Sequence, residues 1–215
     1  MRRSRTTCAA EKTRSMTNPQ DRPVAESPKG RYAVIYADPP WAWSKKPLVN
    51  RGAARTVEKE YVTMQPDAIA ALPVAEWCAD DAALFLWATG PKLPIALRVM
   101  EAWGFAYKTI GFAWVKQNKS GIGLFMGMGF YTRANVEICL LGVRGTPKRK
   151  SAGVHQVVIS PVSKHSEKPD EVRSRIEALY DGPYLEMFAR TKRFGWNAWG
   201  LEAPGYAEPD KGEEA

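Results

Sequence analysis

Four consecutive residues of this 215-residue chain, Asp38-Pro39-Pro40-Trp41, combine a carboxylate, two prolines and an indole. They follow the run 32–37, whose apolar β-branched and aromatic residues predict a buried strand. Open α/β sheets place their ligand sites at such strand ends. Each proline fixes its own φ and keeps the preceding residue extended, so the loop displays carbonyl acceptors rigidly. Asp38 and the Pro39 carbonyl could accept the two N–H bonds of an exocyclic nucleobase amine, while Trp41 stacks on the ring.

The alternative is that this tetrapeptide is only a strand-ending turn with a core tryptophan. Asp-Pro pairs often open turns, and tryptophan is commonly well buried. A second segment could also bind a ligand, because Lys168-Pro169 opens a predicted helix. A cation beside free helix N–H groups is a good carboxylate receptor. The same lysine would also suit an ordinary surface helix.

Alternating strand and helix signals predict a single α/β domain that positions these residues. The predicted strands are 32–37, 82–88, 107–115, 136–142, 154–159 and 184–188, and the predicted helices are 66–72, 92–103 and 169–180. Residues 1–30 are polar and lack an apolar periodicity, so they are predicted to form a disordered or loosely attached basic arm. The domain is predicted to span 31–203, and 204–215 to form an acidic flexible tail.

The net charge of +8 is unevenly distributed along the chain. Residues 1–31 carry eight Lys and Arg against three acids, whereas residues 202–215 carry one Lys against five acids. The part between them therefore keeps a basic excess, which favours a polyanionic partner. Two basic, loop-like segments could grip a phosphate backbone: 42–60 with Lys45, Lys46, Arg51 and Arg55, and 144–153 with Arg149. Ordinary solvated loops are the alternative for both.

Composition also excludes several classes of protein. No run of eighteen apolar residues predicts a membrane span, and no apolar stretch follows the basic N-terminus as in a secretory signal. Three scattered cysteines argue against a disulfide framework and fit a reducing cytoplasm. Two histidines and no cysteine pairs leave almost no material for a zinc site, so we predict no metal. The glycine-rich run 121–129 lacks the features of a phosphate-binding loop and is predicted to be a flexible connection.

The strand with its Asp-Pro-Pro-Trp ending resembles the catalytic signature of methyltransferases that act on adenine N6. Together with downstream segments it resembles the MT-A70 family, which includes the mRNA adenosine methyltransferase and bacterial and phage DNA-modifying relatives. The matching segments keep the family's order across about 32–202 and include 61–64, 84–90, 184–190 and 195–200. The resemblance implies a Rossmann-like methyltransferase sheet with helices on both faces. It also implies that the order of motifs along the chain is permuted, so that the catalytic motif precedes the strand that binds the cofactor.

The same resemblance implies S-adenosylmethionine as the methyl donor and assigns residues to it. The implied cofactor-binding residues are Asp38, Lys168, Glu186, Arg190, Asn197 and Glu202. The implied substrate-binding residues are Trp41 and Tyr61, with the phosphate contacts predicted for Lys45, Lys46, Arg51, Arg55 and Arg149. One position departs from the family, because Leu201 stands where an Asn normally contacts the cofactor ribose. Asn197 is a conceivable substitute for that contact.

The sequence therefore predicts methyl transfer from S-adenosylmethionine to adenine N6 in DNA, by direct attack with Asp38, Pro39, Pro40 and Trp41 as the catalytic motif. Adenosine in RNA is the alternative substrate. A family member that only binds nucleic acid is a further alternative, but such members lose motif or cofactor residues that this chain keeps. The sequence leaves open whether the chain forms a homodimer or uses a separate specificity partner.

Overall fold

A computed structural model describes residues 27–42, 63–129, 131–163 and 167–200 of the chain. The strands in these ranges are β1 Tyr32–Ala37, β2 Cys78–Ala88, β3 Ala106–Gln117, β4 Val136–Arg144, β5 Val157–Pro161, β6 Tyr184–Met187 and β7 Trp196–Trp199. The helices are α1 Pro66–Ala70, α2 Val74–Trp77, α3 Leu93–Ala102 and α4 Asp170–Leu179, with a short 3-10 turn at Gly90–Lys92. No helix in the described ranges has the length and apolar character needed to span a membrane.

All seven strands join one sheet in the order β5-β3-β4-β2-β1-β6-β7. Strand β4 runs antiparallel to β2 and β3, and the other neighbouring pairs are parallel. The carboxyl ends of every strand except β4 therefore lie along one edge, which we call the site edge. Because β4 is reversed, its amino end reaches the same edge. Asp38, directly after β1, and Glu137, near the start of β4, are thus brought to one side of the sheet.

Two apolar cores lie on opposite faces of the sheet. Ile35 of β1 packs in the first core, which also contains residues of α1, α2 and α3. Its neighbour Tyr36 points to the second core, where Val172 and Ile176 of α4 cover the sheet. Successive residues of a strand face opposite sides, so a strand buried on both faces is apolar throughout. The predicted Rossmann-like α/β sheet with helices on both faces is confirmed.

Several element boundaries differ from those predicted. Strand β5 begins at Val157 rather than 154, and β6 ends at Met187 because Phe188 adopts a positive φ of 61°. Pro169 has an extended ψ of 129° and precedes α4 instead of forming its first turn. The short elements α2 and β7 were not predicted from the sequence, because each has only four residues and neither shows a periodic apolar pattern.

Candidate active site

The loop that carries the Asp-Pro-Pro-Trp motif is fixed by backbone hydrogen bonds to the segment before α1. The Pro40 carbonyl accepts the Met64 N–H at 2.8 Å, and the Met64 carbonyl accepts the Ala42 N–H at 3.0 Å. The Lys92 ammonium, at the end of the 3-10 turn, donates to the Ala42 carbonyl at 2.5 Å. The loop is therefore held on two sides, and the strand end presents the Asp38 carboxylate from a rigid frame.

Within this loop the Pro39 carbonyl accepts the backbone N–H of Trp41 at 2.8 Å. A carbonyl oxygen has two lone pairs, so one acceptor position of Pro39 remains for a ligand. The Trp41 side chain is only 7% exposed, and its indole N–H donates to the Trp87 carbonyl at 3.2 Å. These contacts anchor the loop to the core. The role of Trp41 in stacking on a base stays a prediction.

Asp38 is the first member of a row of alternating charges, which we call the charge chain: Asp38, Lys168, Glu137 and Lys116. The Lys168 ammonium lies 2.7 Å from the Asp38 carboxylate and 3.3 Å from that of Glu137. Glu137 in turn forms an ion pair with Lys116. The Lys168 side chain is 8% exposed and that of Asp38 is 28% exposed. The carboxylate of Asp38 is therefore the end of the charge chain that a ligand can reach from solvent.

The surroundings shift the pKa of three members of the charge chain. Burial raises the pKa of the Asp38 carboxyl, and the nearby Lys168 and Arg190 offset only part of this rise. Burial alone would raise the pKa of Glu137, but Lys168 and Lys116 together outweigh it and lower that pKa. Burial would lower the pKa of Lys168, but the Asp38 and Glu137 carboxylates raise it. Lys168 thus stays an ammonium, and Asp38 is the carboxylate that is protonated more readily.

The structure places Glu186 and Arg190 differently with respect to Asp38. The buried Glu186 carboxylate accepts two hydrogen bonds from Arg173 of α4, at 2.9 and 2.7 Å, and so ties β6 to that helix. Burial raises the pKa of Glu186, and Arg173 opposes the rise. Arg190 is exposed, and it lies close enough to lower the pKa of Asp38. Cofactor binding by both residues stays a prediction.

Asn197 and Arg149 occupy different positions on the sheet. The Asn197 side chain donates to the Tyr32 hydroxyl at 2.7 Å. The strand pairing places Asn197 level with Leu185 and Ile35, three residues before Asp38 along β1 and two strands away, and its role in cofactor binding stays a prediction. Arg149 follows the carboxyl end of β4 and is exposed at the edge opposite the site edge. The remaining predicted residues lie outside the described ranges: Lys45, Lys46, Arg51, Arg55, Tyr61 and Glu202.

Two residues of the site were not predicted from the sequence. Glu137 was not among the predicted site residues, although a lone acid at the start of an apolar strand is a usable signal. Thr89 follows β2, and continuing the β1–β2 register places it level with Pro40. Its Oγ1 is buried and has no hydrogen-bond partner in the described part of the chain. Buried hydroxyls are usually bonded, so one without a partner among the described residues, beside the motif loop, is a candidate ligand contact.

Comparison with known proteins identifies the MT-A70 family along most of the chain. A family model described as MT-A70 matches residues 32–202. The Type II methyltransferase M.MunI of Mycoplasma sp is 32% identical over 210 residues, covering 90% of this chain and 87% of that protein. The N(6)-adenosine-methyltransferase catalytic subunit METTL3 of Homo sapiens is 32% identical over 166 residues, covering 75% of this chain. The chain spans 26% of the length of that human relative.

Proposed function

Because the chain belongs to the MT-A70 family of methyltransferases, we propose that it transfers a methyl group from S-adenosylmethionine to adenine N6 in DNA. The observation that carries the proposal is the Asp38 carboxylate, which a rigid loop presents at the end of β1. DNA is favoured over RNA because the relative matched along nearly its whole length is a bacterial Type II methyltransferase. We place the activity in the cytoplasm, where the free thiols of Cys78 and Cys139 stay reduced.

MT-A70 methyltransferases depend on S-adenosylmethionine, whose sulfonium supplies an electrophilic methyl group when it is bound. The residues at the site edge fit such a ligand. Lys168 and Arg190 would hold its carboxylate, and their charges lie beside the acceptor Asp38. The unused hydroxyl of Thr89 offers a further polar contact. Lys168 is held in place at the site edge by the carboxylates of Asp38 and Glu137.

The residues of the motif loop would act on the nucleophile. Adenine N6 attacks poorly because its lone pair is delocalised into the ring. Hydrogen bonds from its two N–H groups to the Asp38 carboxylate and the Pro39 carbonyl favour a tetrahedral amine and stabilise its developing positive charge. As N6 gains the methyl group, it must lose one proton. The raised pKa of Asp38 makes its carboxylate a better acceptor for that proton than an ordinary aspartate.

The proposal is tested by incubating the chain with methyl-labelled S-adenosylmethionine and, in separate reactions, duplex DNA, single-stranded DNA and RNA. Each product is digested to nucleosides and analysed by mass spectrometry. Label in N6-methyldeoxyadenosine is the expected result. Label only in N6-methyladenosine would establish the RNA alternative. Binding of nucleic acid without any labelled nucleoside would support the non-catalytic alternative and overturn the proposed activity.

A Thr89→Val substitution tests whether the unused hydroxyl belongs to this site. Since the hydroxyl has no partner among the described residues, its removal should leave the free energy of unfolding unchanged or slightly raised. Removal of a ligand hydrogen bond should weaken S-adenosylmethionine or substrate binding by roughly 0.5–1.5 kcal/mol, as measured by calorimetric titration. Ser160→Ala is the matched control, because the Ser160 hydroxyl in β5 is also buried without a partner in the described ranges. Unchanged affinity for both ligands would exclude Thr89 from the site.

The basic segment 42–60 is expected to make phosphate contacts. Replacing its cations by Ala should weaken DNA binding and flatten the log–log salt dependence by about 0.9 for each phosphate that is no longer neutralised. The substitutions are Lys45→Ala, Lys46→Ala, Arg51→Ala and Arg55→Ala. The control removes two exposed cations elsewhere, Arg98 on α3 and Lys108 near the opposite edge. A slope that these four changes leave unaltered would mean that the segment is an ordinary solvated loop.

A further inference from the structure

The connection between β6 and β7, residues 188–195, returns from the site edge to the opposite edge of the sheet. β6 ends at Met187 on the site edge, and β7 begins at Trp196, which is aligned with Tyr184 at the start of β6. Parallel strands are usually joined by a dozen or more residues, most often with a helix. This shorter connection contains no helix or strand, so its path depends on side-chain contacts.

Arg193 holds this connection against α4. Its guanidinium donates to both carboxylate oxygens of Glu177, at 2.9 Å each, to Asp170 at 2.6 Å and to the Ser174 hydroxyl at 3.0 Å. Asp170, Ser174 and Glu177 are spaced by four and three residues along α4 and therefore share one face of the helix. Four of the five guanidinium N–H groups are used in these bonds, and the side chain is only 21% exposed. We call this arrangement the Arg193 clamp.

The Arg193 clamp belongs to a network that also reaches β6. The second carboxylate oxygen of Asp170 accepts from Arg173 at 2.8 Å, and Arg173 is bidentate to the buried Glu186. Burial alone would raise the pKa of Asp170, but Arg193 and Arg173 outweigh it and lower that pKa. Arg193 lowers the pKa of Glu177, and burial opposes it only in part. Isolated surface ion pairs contribute little, whereas a network with bidentate arginine pairs holds a defined geometry.

Two segments at the site edge are tethered to this network. Lys168 is joined to Asp170 through Pro169 alone, whose φ of −58° and ψ of 129° fix the chain at the start of α4. Arg190, near the start of the connection, precedes Arg193 by three residues, which span at most about 10 Å of extended chain. The ion pair between Arg193 and Asp170 therefore joins two short tethers, each of which ends at a cation of the site edge.

We propose that Arg193 is a positioning residue, which orders Arg190 relative to Lys168 so that both cations meet the carboxylate of S-adenosylmethionine. The inference rests on the proposed function, in which these two cations hold that carboxylate. Arg193 acts without touching the ligand, because its guanidinium is bound to α4. A side chain that is ordered before the ligand arrives loses less conformational freedom on binding, so the affinity is higher.

The alternative is that the Arg193 clamp only stabilises the fold, and a second arginine of α4 provides the comparison. Arg175 is also 21% exposed and pairs with Glu171. It donates to the carbonyls of His155 and Val157, at 2.5 and 2.8 Å, and so joins α4 to the start of β5. Removal of either arginine should destabilise the fold, but only removal of Arg193 should disturb the cofactor site.

Calorimetric titration in the absence of nucleic acid tests the proposal with S-adenosylhomocysteine and 5′-methylthioadenosine. The first ligand carries the amino acid carboxylate, and the second has the same nucleoside and sulfur without it. Arg193→Met should weaken binding of S-adenosylhomocysteine about tenfold, because Arg190 must then be ordered on binding, and should change that of 5′-methylthioadenosine less than about twofold. Arg175→Met is the control and should leave both affinities unchanged. Urea unfolding should show reduced stability of both variants.

Arg190→Met gives a second readout, because a positioning residue acts only through the residue that it positions. In the Arg190→Met background, Arg193→Met should raise the dissociation constant of S-adenosylhomocysteine by less than about twofold. Arg193→Lys cannot form the bidentate pair with Glu177, so its affinity should fall between those of the wild type and Arg193→Met.

Equal weakening of both ligands by Arg193→Met would overturn the proposal, because the defect would then be a general one. Additive effects of Arg190→Met and Arg193→Met would also overturn it, as would wild-type affinity of Arg193→Met for S-adenosylhomocysteine. A wild-type chain that does not bind S-adenosylhomocysteine would overturn both this inference and the proposed use of the cofactor. Titration uses no nucleic acid, so failure of the nucleoside analysis with intact binding would overturn only the proposed methylation.

Discussion

Asp38→Asn is expected to lower the turnover number by about 100- to 1,000-fold while most of the cofactor affinity remains. The substitution keeps the size of the side chain but removes its negative charge and turns one acceptor into a donor. Loss of one preorganised group that stabilises developing charge typically costs about 2.7–4 kcal/mol of barrier. Lys168 keeps Glu137 as a carboxylate partner, so the site should not collapse.

The rate is measured with labelled S-adenosylmethionine at saturating DNA, and cofactor affinity is measured by calorimetric titration. Asp80→Asn is the matched control, because Asp80 forms an exposed ion pair with Arg31 at the start of β2. Its activity should equal that of the wild type. Activity of Asp38→Asn within about threefold of the wild type would show that Asp38 has no catalytic role, since removal of such an acceptor should cost far more.

The pH dependence of turnover provides a second readout of Asp38. Its pKa is raised by burial, so the carboxylate is protonated at a higher pH than the ordinary value of about 3.9. Turnover should therefore decline as pH falls, with an acidic limb displaced above that ordinary value. The limb should be absent from the residual activity of Asp38→Asn. A limb that persists unchanged in the variant would assign it to another group.

Lys168→Met is expected to give the largest loss of stability, about 3–5 kcal/mol near pH 8, together with loss of activity. Removing one member of a buried ion pair leaves uncompensated charge, which is strongly destabilising. Here the carboxylates of Asp38 and Glu137 would lose the ammonium that lies between them. The free energy of unfolding is measured with urea at several pH values.

The loss of stability caused by Lys168→Met should be smaller at about pH 5 than at pH 8. In the wild type the lowered pKa of Glu137 contributes stability that is complete above its unfolded value of about 4.3, so this contribution is the same at pH 5 and at pH 8. In the variant the folded-state pKa values of Glu137 and Asp38 should rise, so protonation favours the folded chain. Lys150→Met is the control, because Lys150 pairs with Asp181 at the surface and such pairs contribute about 0–1 kcal/mol. A pH-independent loss would contradict this account.

The sequence was sufficient to predict the strand that carries the Asp-Pro-Pro-Trp motif. Residues 32–37 are apolar without alternation, which is what a strand covered on both faces requires, and Ile35 and Tyr36 do face opposite cores. The end of β1 at Ala37 was also predicted, so Asp38 lies at the carboxyl end of that strand as expected, and ligand binding there stays a prediction. The cation Lys168 was also predicted to lie at the site, although not as a direct partner of Asp38.

The direction and neighbours of strands could not be predicted. Glu137 reaches Lys168 only because β4 is reversed relative to β2 and β3, and a strand pattern does not encode its direction. The alignment of β7 with β6, which places Asn197 level with Leu185 and in contact with Tyr32, could not be predicted either, and cofactor binding by Asn197 stays a prediction. Pairing register depends on contacts distant in sequence, which a local motif cannot supply.

The charge chain has a consequence for the electric field of the enzyme. Its two carboxylates and two ammonium groups cancel, so beyond the immediate site their field decays faster than that of a single ion. Attraction of a distant polyanion must then come from cations of the protein that lie outside the charge chain. Their field is screened over about 8–10 Å in ordinary salt. Inside the site the four charges are too close together for mobile ions to screen. Added salt should accordingly raise KM for DNA and leave kcat almost constant.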